Sequence, residues 1–513
     1  EFWREVVDRM AKELPDTLLL AEAFWMMEGY FVRTLGMHRV YNSAFMNMLK
    51  NQENKKYRDT IKKTISFEPE ILKRFVNFMN NPDEETAIAQ FGDGDKYFGV
   101  FTLLATMPGL PMIGHGQIEG FREKYGMEYK RAYWDESPNQ WLIAEHYRRI
   151  FPLLRKRYLY SGIENFQLFD VVNGYGATEE SVFCYVNGND TERSLVVYNN
   201  QFQSIEGTAR ISVPKLVKEN GEKHTETVSV GQALNLLGGN GRFVIYGRFP
   251  SNLYYLKPSQ QIFDHGISFH LEGYETQVFT DVHEINDTDG TFDELYRSLN
   301  GKGVWSIEEE IRFLRLRPFF TALDPLRGVP FFSICEKVLT GDSPEKLSRK
   351  LTLLIAECDE NLSKTLVSLP QAIKTFLPDS FTKRDPDETQ RRFGHLFRQF
   401  SETVDNGFFL HGAQTMKELP VVFGVALLIQ PFLRDGMSVM DAMKVSDRLL
   451  CHRFYEDKLV SLDMGEVDAR KICHLGAILA ESGMQDPEET DPKRFLEALR
   501  ADQSVYNYTG CNE

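Results

Sequence analysis

Apolar and polar positions follow three different rhythms along this chain, and the places where the rhythm changes divide it. Over residues 1–158 short apolar runs stand between stretches of helical spacing. The opening EFWREVVDRMAKEL places Phe2, Val6 and Met10 on one helix face with no N-cap before them. The run ending in LLLAEA predicts a strand over 17–23, and further strands follow over 38–45, 76–79 and 109–117. Helical spacing fills 68–75 and 94–107, and the amphipathic stretch 139–157 closes the region. Strands separated by helices predict parallel β/α units. Four such units make half of an eight-stranded (β/α)8 barrel, or a small doubly wound sheet.

From about 159 to 285 the period falls to two. Segments 164–172, 181–188, 193–200, 242–248, 252–258 and 275–282 are short alternating runs spaced by Gly, Asn and charged turns. That pattern predicts an antiparallel β-sandwich. From 286 to 513 the spacing is helical again. Thr291 with Glu294, and Ser306 with Glu309, have the form of capping boxes, and Pro344 after Ser343 suits a first helical position. The apolar run 419–433 is shorter than a membrane span and contains two prolines, so it predicts a buried helix. The fold class expected is therefore α/β, then all-β, then all-α, in regions 1–158, 159–285 and 286–513.

Charge narrows the partners. The 513 residues carry a net charge of −15, which argues against nucleic acid or an anionic membrane and suits a neutral substrate such as a sugar. Six cysteines (184, 335, 358, 451, 473 and 511) lack framework spacing, which points to a reducing, cytoplasmic setting. The neighbours Cys451-His452 and Cys473-His474 point to different helix faces, so no metal and no cofactor is expected. The sequons at Asn189 and Asn507 would matter only in a secreted protein. Oligomeric state has no signature in the sequence.

The chemistry lies in two acids. Glu22 ends the first apolar run and Asp83 is the first carboxylate after the third. If the strands form part of a barrel, both stand on the face where barrel enzymes do chemistry. Two converging carboxylates are the minimum for glycoside chemistry, one to protonate the leaving oxygen and one to stabilise the oxocarbenium-like sugar. Phe24 and Trp25 behind Glu22 would raise its pKa, and Trp25 offers a flat face to a pyranose ring. A structural alternative stays open, in which Glu22 caps the strand or pairs with Arg33. His38 and Tyr41 straddle the start of the second strand and could reach a substrate or be buried.

Four stretches, in order, resemble the α-amylase superfamily (glycoside hydrolase family 13). LLLAEAFW is similar to its third conserved stretch, FMNNPDEE to its fourth, GLPMIGHGQIEG to its eighth barrel strand, and VFCYVNGNDTERSLVVYNN to the opening hairpin of its C-terminal β-domain. The resemblance covers residues 1 to about 285. It implies Glu22 as general acid/base and Asp83 as transition-state stabiliser, with Asn81 beside it and His115 and Gln117 lining the last strand end. It implies an α-glucan or malto-oligosaccharide substrate and no metal, because the family's usual calcium ligands would lie upstream.

Two departures qualify it. Pro82 stands where the family has a His that bonds the sugar, a change shared with the maltosyltransferase branch that uses maltose 1-phosphate. The family's Asp nucleophile belongs to a stretch that would precede residue 1, so this chain is expected to be inactive alone. The expected activity of the whole is retaining hydrolysis of α-glucosidic bonds. Maltosyl or glucan transfer is the second reading, and a non-catalytic glucan-binding scaffold the third.

Overall fold

The computed structural model describes residues 2–23, 28–124, 130–219, 221–339, 344–365, 415–434 and 438–482. Trp25, Cys511 and the Asn507 sequon lie outside them. The chain divides into two compact units, Glu1–Ile307 and Glu308–Glu513.

The first unit opens with the helix Phe2–Glu13, whose buried residue is Val7, while Phe2 is exposed. Four short strands follow: β1 (Leu20–Ala21), β2 (Arg39–Tyr41), β3 (Phe75–Phe78) and β4 (Leu110–Met112). They pair in parallel and in chain order, with Ala21 opposite Val40, Tyr41 opposite Val76, and Phe78 opposite Met112. Helices separate them, notably Ser43–Lys50, Asn54–Phe67 and Asp95–Thr106.

The strands are shorter than the apolar runs suggested, for local reasons. Asn42 turns the chain out of β2: its Oδ1 accepts the Phe45 N–H at 3.2 Å and caps the helix Ser43–Lys50, where strand was expected as far as 45. After β4 the Gln117 N–H reaches the Gly114 carbonyl at 3.2 Å, and Gly116 takes φ +70°, so 113–117 is a turn. Beneath the strand ends the Asn42 amide donates to Asn77 Oδ1 at 2.8 Å, and the Asn77 amide to the Pro108 carbonyl at 3.3 Å. This buried chain of amides pins β2, β3 and the approach to β4 in register.

The antiparallel part is one continuous sheet of eight strands. These are β5 (Gln167–Val172), β6 (Val182–Gly188), β7 (Arg193–Asn199), β8 (Ile205–Ser212), β11 (Arg242–Phe249), β12 (Leu253–Pro258), β13 (Ile267–Leu271) and β14 (Thr276–Asn286), in the order 12-11-14-7-6-5-8-13. A separate hairpin pairs β9 (Lys215–Glu219) with β10 (Glu222–Glu226). The central strands are covered on both faces: Val182, Cys184 and Val186 join one core, and Phe183 and Tyr185 join another with the helices. Strands β8 and β13 complete the far side of the sheet, with β13 at its edge.

The two layers meet through a fully buried arginine. From the helix Asn54–Phe67, Arg58 donates to Glu180 at 2.6 Å and to Asp170 on β5, and Lys62 reaches Asp170 at 2.9 Å. A buried guanidinium is tolerated because carboxylates answer it.

The second unit is helical, with no strand among its described residues. Its main helices are Ile307–Ala322 (entered from the first unit), Val329–Leu339, Pro344–Thr365, Thr415–Arg434, Val439–Arg448 and Glu466–Ser482. In Thr415–Arg434 residues 420–429 are buried, in line with the apolar run, and no described helix is long and apolar enough to cross a membrane. The 344–365 helix begins at Pro344 as its sequence suggests. The Thr291 box does not form: Thr291 is already helical after Gly290, and Asp289 and Asp287 accept the Thr291 and Asp293 N–H groups at 3.1 and 3.0 Å. Ser306 does precede a helix, but the Glu309 carboxylate turns to His452 at 3.2 Å and Arg470 at 2.7 Å. Those two partners hold it at about 2.

Tyr455 sits at the centre of this core. Its hydroxyl donates to the Leu326 carbonyl at 3.3 Å, and the buried thiols of Cys335, Cys358, Cys451 and Cys473 surround it closely enough to raise its pKa beyond the effect of burial. Burial pushes the Cys451 thiol up to about 12.

Candidate active site

Parallel pairing fixes where the chemistry can gather. The C-terminal ends of β1 to β4 lie along one sheet edge, and the residues that follow them are Glu22, Asn42, Met79–Asp83 and Ile113–Gln117. Glu22 and Asp83 are both exposed there, and among the described residues neither carboxylate is held in an ion pair. The alternative partner for Glu22 is engaged elsewhere: Arg33 donates to the Gly29 carbonyl at 3.3 Å, with its guanidinium 5.3 Å from the Phe67 ring centre.

Tyr41 joins the two acids. Its ring is half-buried and packs edge-on against Phe78 at 5.5 Å between centroids. Burial first, then the negative charges of Glu22 and Asp83, push its phenol above the ordinary tyrosine range. Both carboxylates therefore act on one hydroxyl, which stays protonated and able to donate.

Asn81 serves the loop itself. Its Oδ1 accepts the Asp83 and Glu84 N–H groups at 3.0 and 2.9 Å, an Asx turn that aims Asp83 outward. Pro82 is exposed inside that turn, where its fixed φ suits the bend. Gln117 is buried and spent on the fold: its Oε1 accepts the Gly114 N–H at 3.1 Å and its amide lies 3.4 Å from Met79 Sδ. The Gln117 carbonyl accepts the Tyr97 hydroxyl at 3.0 Å, and Tyr97 also meets His146 Nε2 at 2.9 Å. His115 is exposed and packs on Phe121 at 6.3 Å.

His38 is not with the others. It precedes β2 and so stands at the opposite edge of the sheet, where its Nδ1 accepts the Leu19 N–H at 2.9 Å. Tyr41, Glu22 and Asp83 share the C-terminal end of the sheet, with His115 and Asn81 at that same end. His38 does not, and Gln117 faces inward.

One residue that sequence reasoning passed over belongs here. Asn80, 5% exposed, lies against Gly114, where a Cβ would stand 2.4 Å from its Oδ1, and that oxygen has no partner. The doubled asparagine closing an apolar run was the available signal, because a strand rarely ends on a buried amide without a purpose.

No family model and no curated protein matches the chain. Among solved structures it is similar to an α-amylase from Geobacillus thermoleovorans complexed with acarbose, at 13% identity and TM-score 0.39, over 55% of this chain and 57% of that one. It is similar to a debranching enzyme from Nostoc punctiforme at 15% identity and TM-score 0.36, over 54% of each chain. The cyclomaltodextrin glucanotransferase CldA follows at 16% identity and TM-score 0.36, over 55% of this chain and 53% of that one. The chain spans little more than half the length of these structures.

Proposed function

We propose that the first unit carries the acid/base half of a retaining, α-glucan-active glycoside hydrolase site. On this reading β1 to β4 are half of a (β/α)8 barrel over residues 1–158, and the antiparallel sheet over 159–285 is its C-terminal β-domain, followed by a helical extension of separate role. The observation that carries it is the placement of Glu22, Tyr41 and Asp83 at the C-terminal ends of neighbouring parallel strands, with the charge of both acids felt at the Tyr41 phenol.

Glu22 protonates the leaving glycosidic oxygen and then, as carboxylate, takes a proton from the acceptor. Asp83, its backbone fixed by the Asn81 turn, faces the developing positive charge. Tyr41 donates to a sugar oxygen. Water as the acceptor gives hydrolysis, and a sugar hydroxyl gives maltosyl or glucanosyl transfer. Retention also needs a carboxylate nucleophile, which this reading does not find on the chain, so the chain alone binds glucan without turning it over.

The test is calorimetric titration of the full chain with maltoheptaose, with chromatography of the sugar after incubation. The expected result is binding, weakened at least about fivefold by Glu22→Gln and by Asp83→Asn, with the sugar recovered intact. Absence of binding, or binding indifferent to both substitutions, overturns the proposal. Shorter products would show that the chain holds its own nucleophile, and longer ones would favour the transferase reading.

A further inference from the structure

In the second unit three donor groups from three different elements converge. Glu309 comes from the first turn of the helix Ile307–Ala322, His452 from the short helix Cys451–Phe454, and Glu466 from the first residue of Glu466–Ser482. One donor atom from each lies within 4.8 Å of the others. Bonds of about 2.0–2.2 Å to zinc put neighbouring ligands roughly 3–4 Å apart, so small side-chain movements close this triangle on a metal.

We propose that Glu309, His452 and Glu466 bind a zinc-class divalent cation. The donors are an imidazole and two carboxylates, a set that suits zinc and its transition-metal neighbours better than calcium or magnesium.

Helix N-termini attract carboxylates without any metal, and that alone would explain Glu309 and Glu466. It does not explain His452. The ring is 4% exposed, Nε2 lies 3.2 Å from Glu309 Oε1, and Nδ1 has no hydrogen-bond partner. The nitrogen turned into the cluster is Nε2, so a buried imidazole and two carboxylates from three separate elements share one small volume, which helix N-termini alone do not produce.

Charge points the same way. Arg470 lies among Glu309 at 2.7 Å, Glu466 at 2.9 Å and Asp447 at 3.7 Å. The adjacent Arg453 is engaged by Glu310 at 2.6 Å and Glu456 at 3.1 Å. Among the described residues three carboxylates thus face Arg470, with the His474 ring also 3.0 Å from Asp447, so the cluster is acidic enough to favour a cation. Arg470, 29% exposed in its side chain, bridges Glu309 and Glu466, and a metal entering between them displaces its guanidinium. The adjacent Cys451 takes no part, since its side chain lies in the core, so the Cys-His pair of the sequence separates into one core residue and one ligand.

The experiment is titration of the metal-free full chain with zinc against a chromophoric chelator, repeated with cobalt for its visible absorption. The expected result is one zinc per chain, with affinity lowered at least about tenfold in both His452→Gln and Glu466→Gln. Glu466 is half-exposed and its replacement leaves the core untouched, so it answers for the case in which His452→Gln fails to fold. No zinc uptake by the unaltered chain overturns the proposal. So does uptake undiminished by Glu466→Gln, which would place the metal elsewhere, for example at His270 between Glu206 and Glu272.

Discussion

A Cβ placed on Gly99 would stand 2.0 Å from Cε2 of Tyr198, so the helix Asp95–Thr106 lies flat on β7 because residue 99 has no side chain. In an exposed helix Gly→Ala would gain about 1 kcal/mol. Here the ring cannot retreat: the Tyr198 hydroxyl donates to Asn200 at 2.9 Å, and Asn200 in turn bonds the Leu49 carbonyl and Asn54. Gly99→Ala is expected to lower stability by about 2 kcal/mol or more. All five tryptophans fall within residues 1–307, so the urea midpoint followed by tryptophan fluorescence reports this unit.

Asp170→Ala leaves the fully buried Arg58 with Glu180 as its remaining carboxylate. The cost expected is about 3 kcal/mol, that of an under-compensated buried charge. The same fluorescence midpoint measures it, and a change under 1 kcal/mol would mean that water reaches the guanidinium.

His146 gives the first unit a pH dependence. Its ring is enclosed by Tyr97, Phe98, Phe101 and Phe151, and burial lowers its pKa from 6.5 to about 4. Between those values the unfolded chain takes up a proton that the folded chain refuses. Stability is therefore fully present above pH 6.5 and declines as pH falls toward 4. His270, held between Glu206 and Glu272, is raised and acts in the opposite sense, but it is exposed. The urea midpoint is expected to fall between pH 7 and pH 5.5, and a flat or rising profile would show that the imidazole protonates in place.

Tyr41 and His38 separate the two edges of the parallel sheet. Tyr41→Phe is expected to weaken maltoheptaose binding roughly fivefold, the worth of one hydrogen bond, without altering stability by more than about 0.5 kcal/mol. His38→Ala is expected to do the reverse, losing about 1 kcal/mol with the bond from Leu19 while affinity is unchanged. Equal effects on binding would put the ligand somewhere other than the strand ends.

Much of the architecture was legible because it follows from period. The parallel strands, the central antiparallel strands and the buried helix over 419–433 all announce themselves by apolar spacing. Strand ends were not legible, because single side-chain bonds decide them: Asn42 stops β2 by capping a helix, and Gly116 stops the fourth apolar run by turning. Strand β8 was missed because Gly207, Thr208 and Arg210 break its apolar alternation, and β13 because it is only five residues long, although its Ile-Ser-Phe-His-Leu alternation was there to be read. At the site, residue type pointed to Glu22, Asp83 and Tyr41, but direction was invisible. Spacing does not reveal that Gln117 faces inward, that Asn81 is spent on its own loop, or that His38 precedes its strand and so falls on the far edge.

The four thiols gathered around Tyr455 make the second unit its own chemical recorder. Cys335, Cys358, Cys451 and Cys473 are each 5% exposed or less, and a protonated, enclosed thiol does not react. Alkylation at these positions can proceed only while the helices are apart. Its rate at saturating reagent, where modification outpaces reclosing, is the opening rate of that core, read by peptide mass spectrometry independently of the tryptophans that watch the first unit.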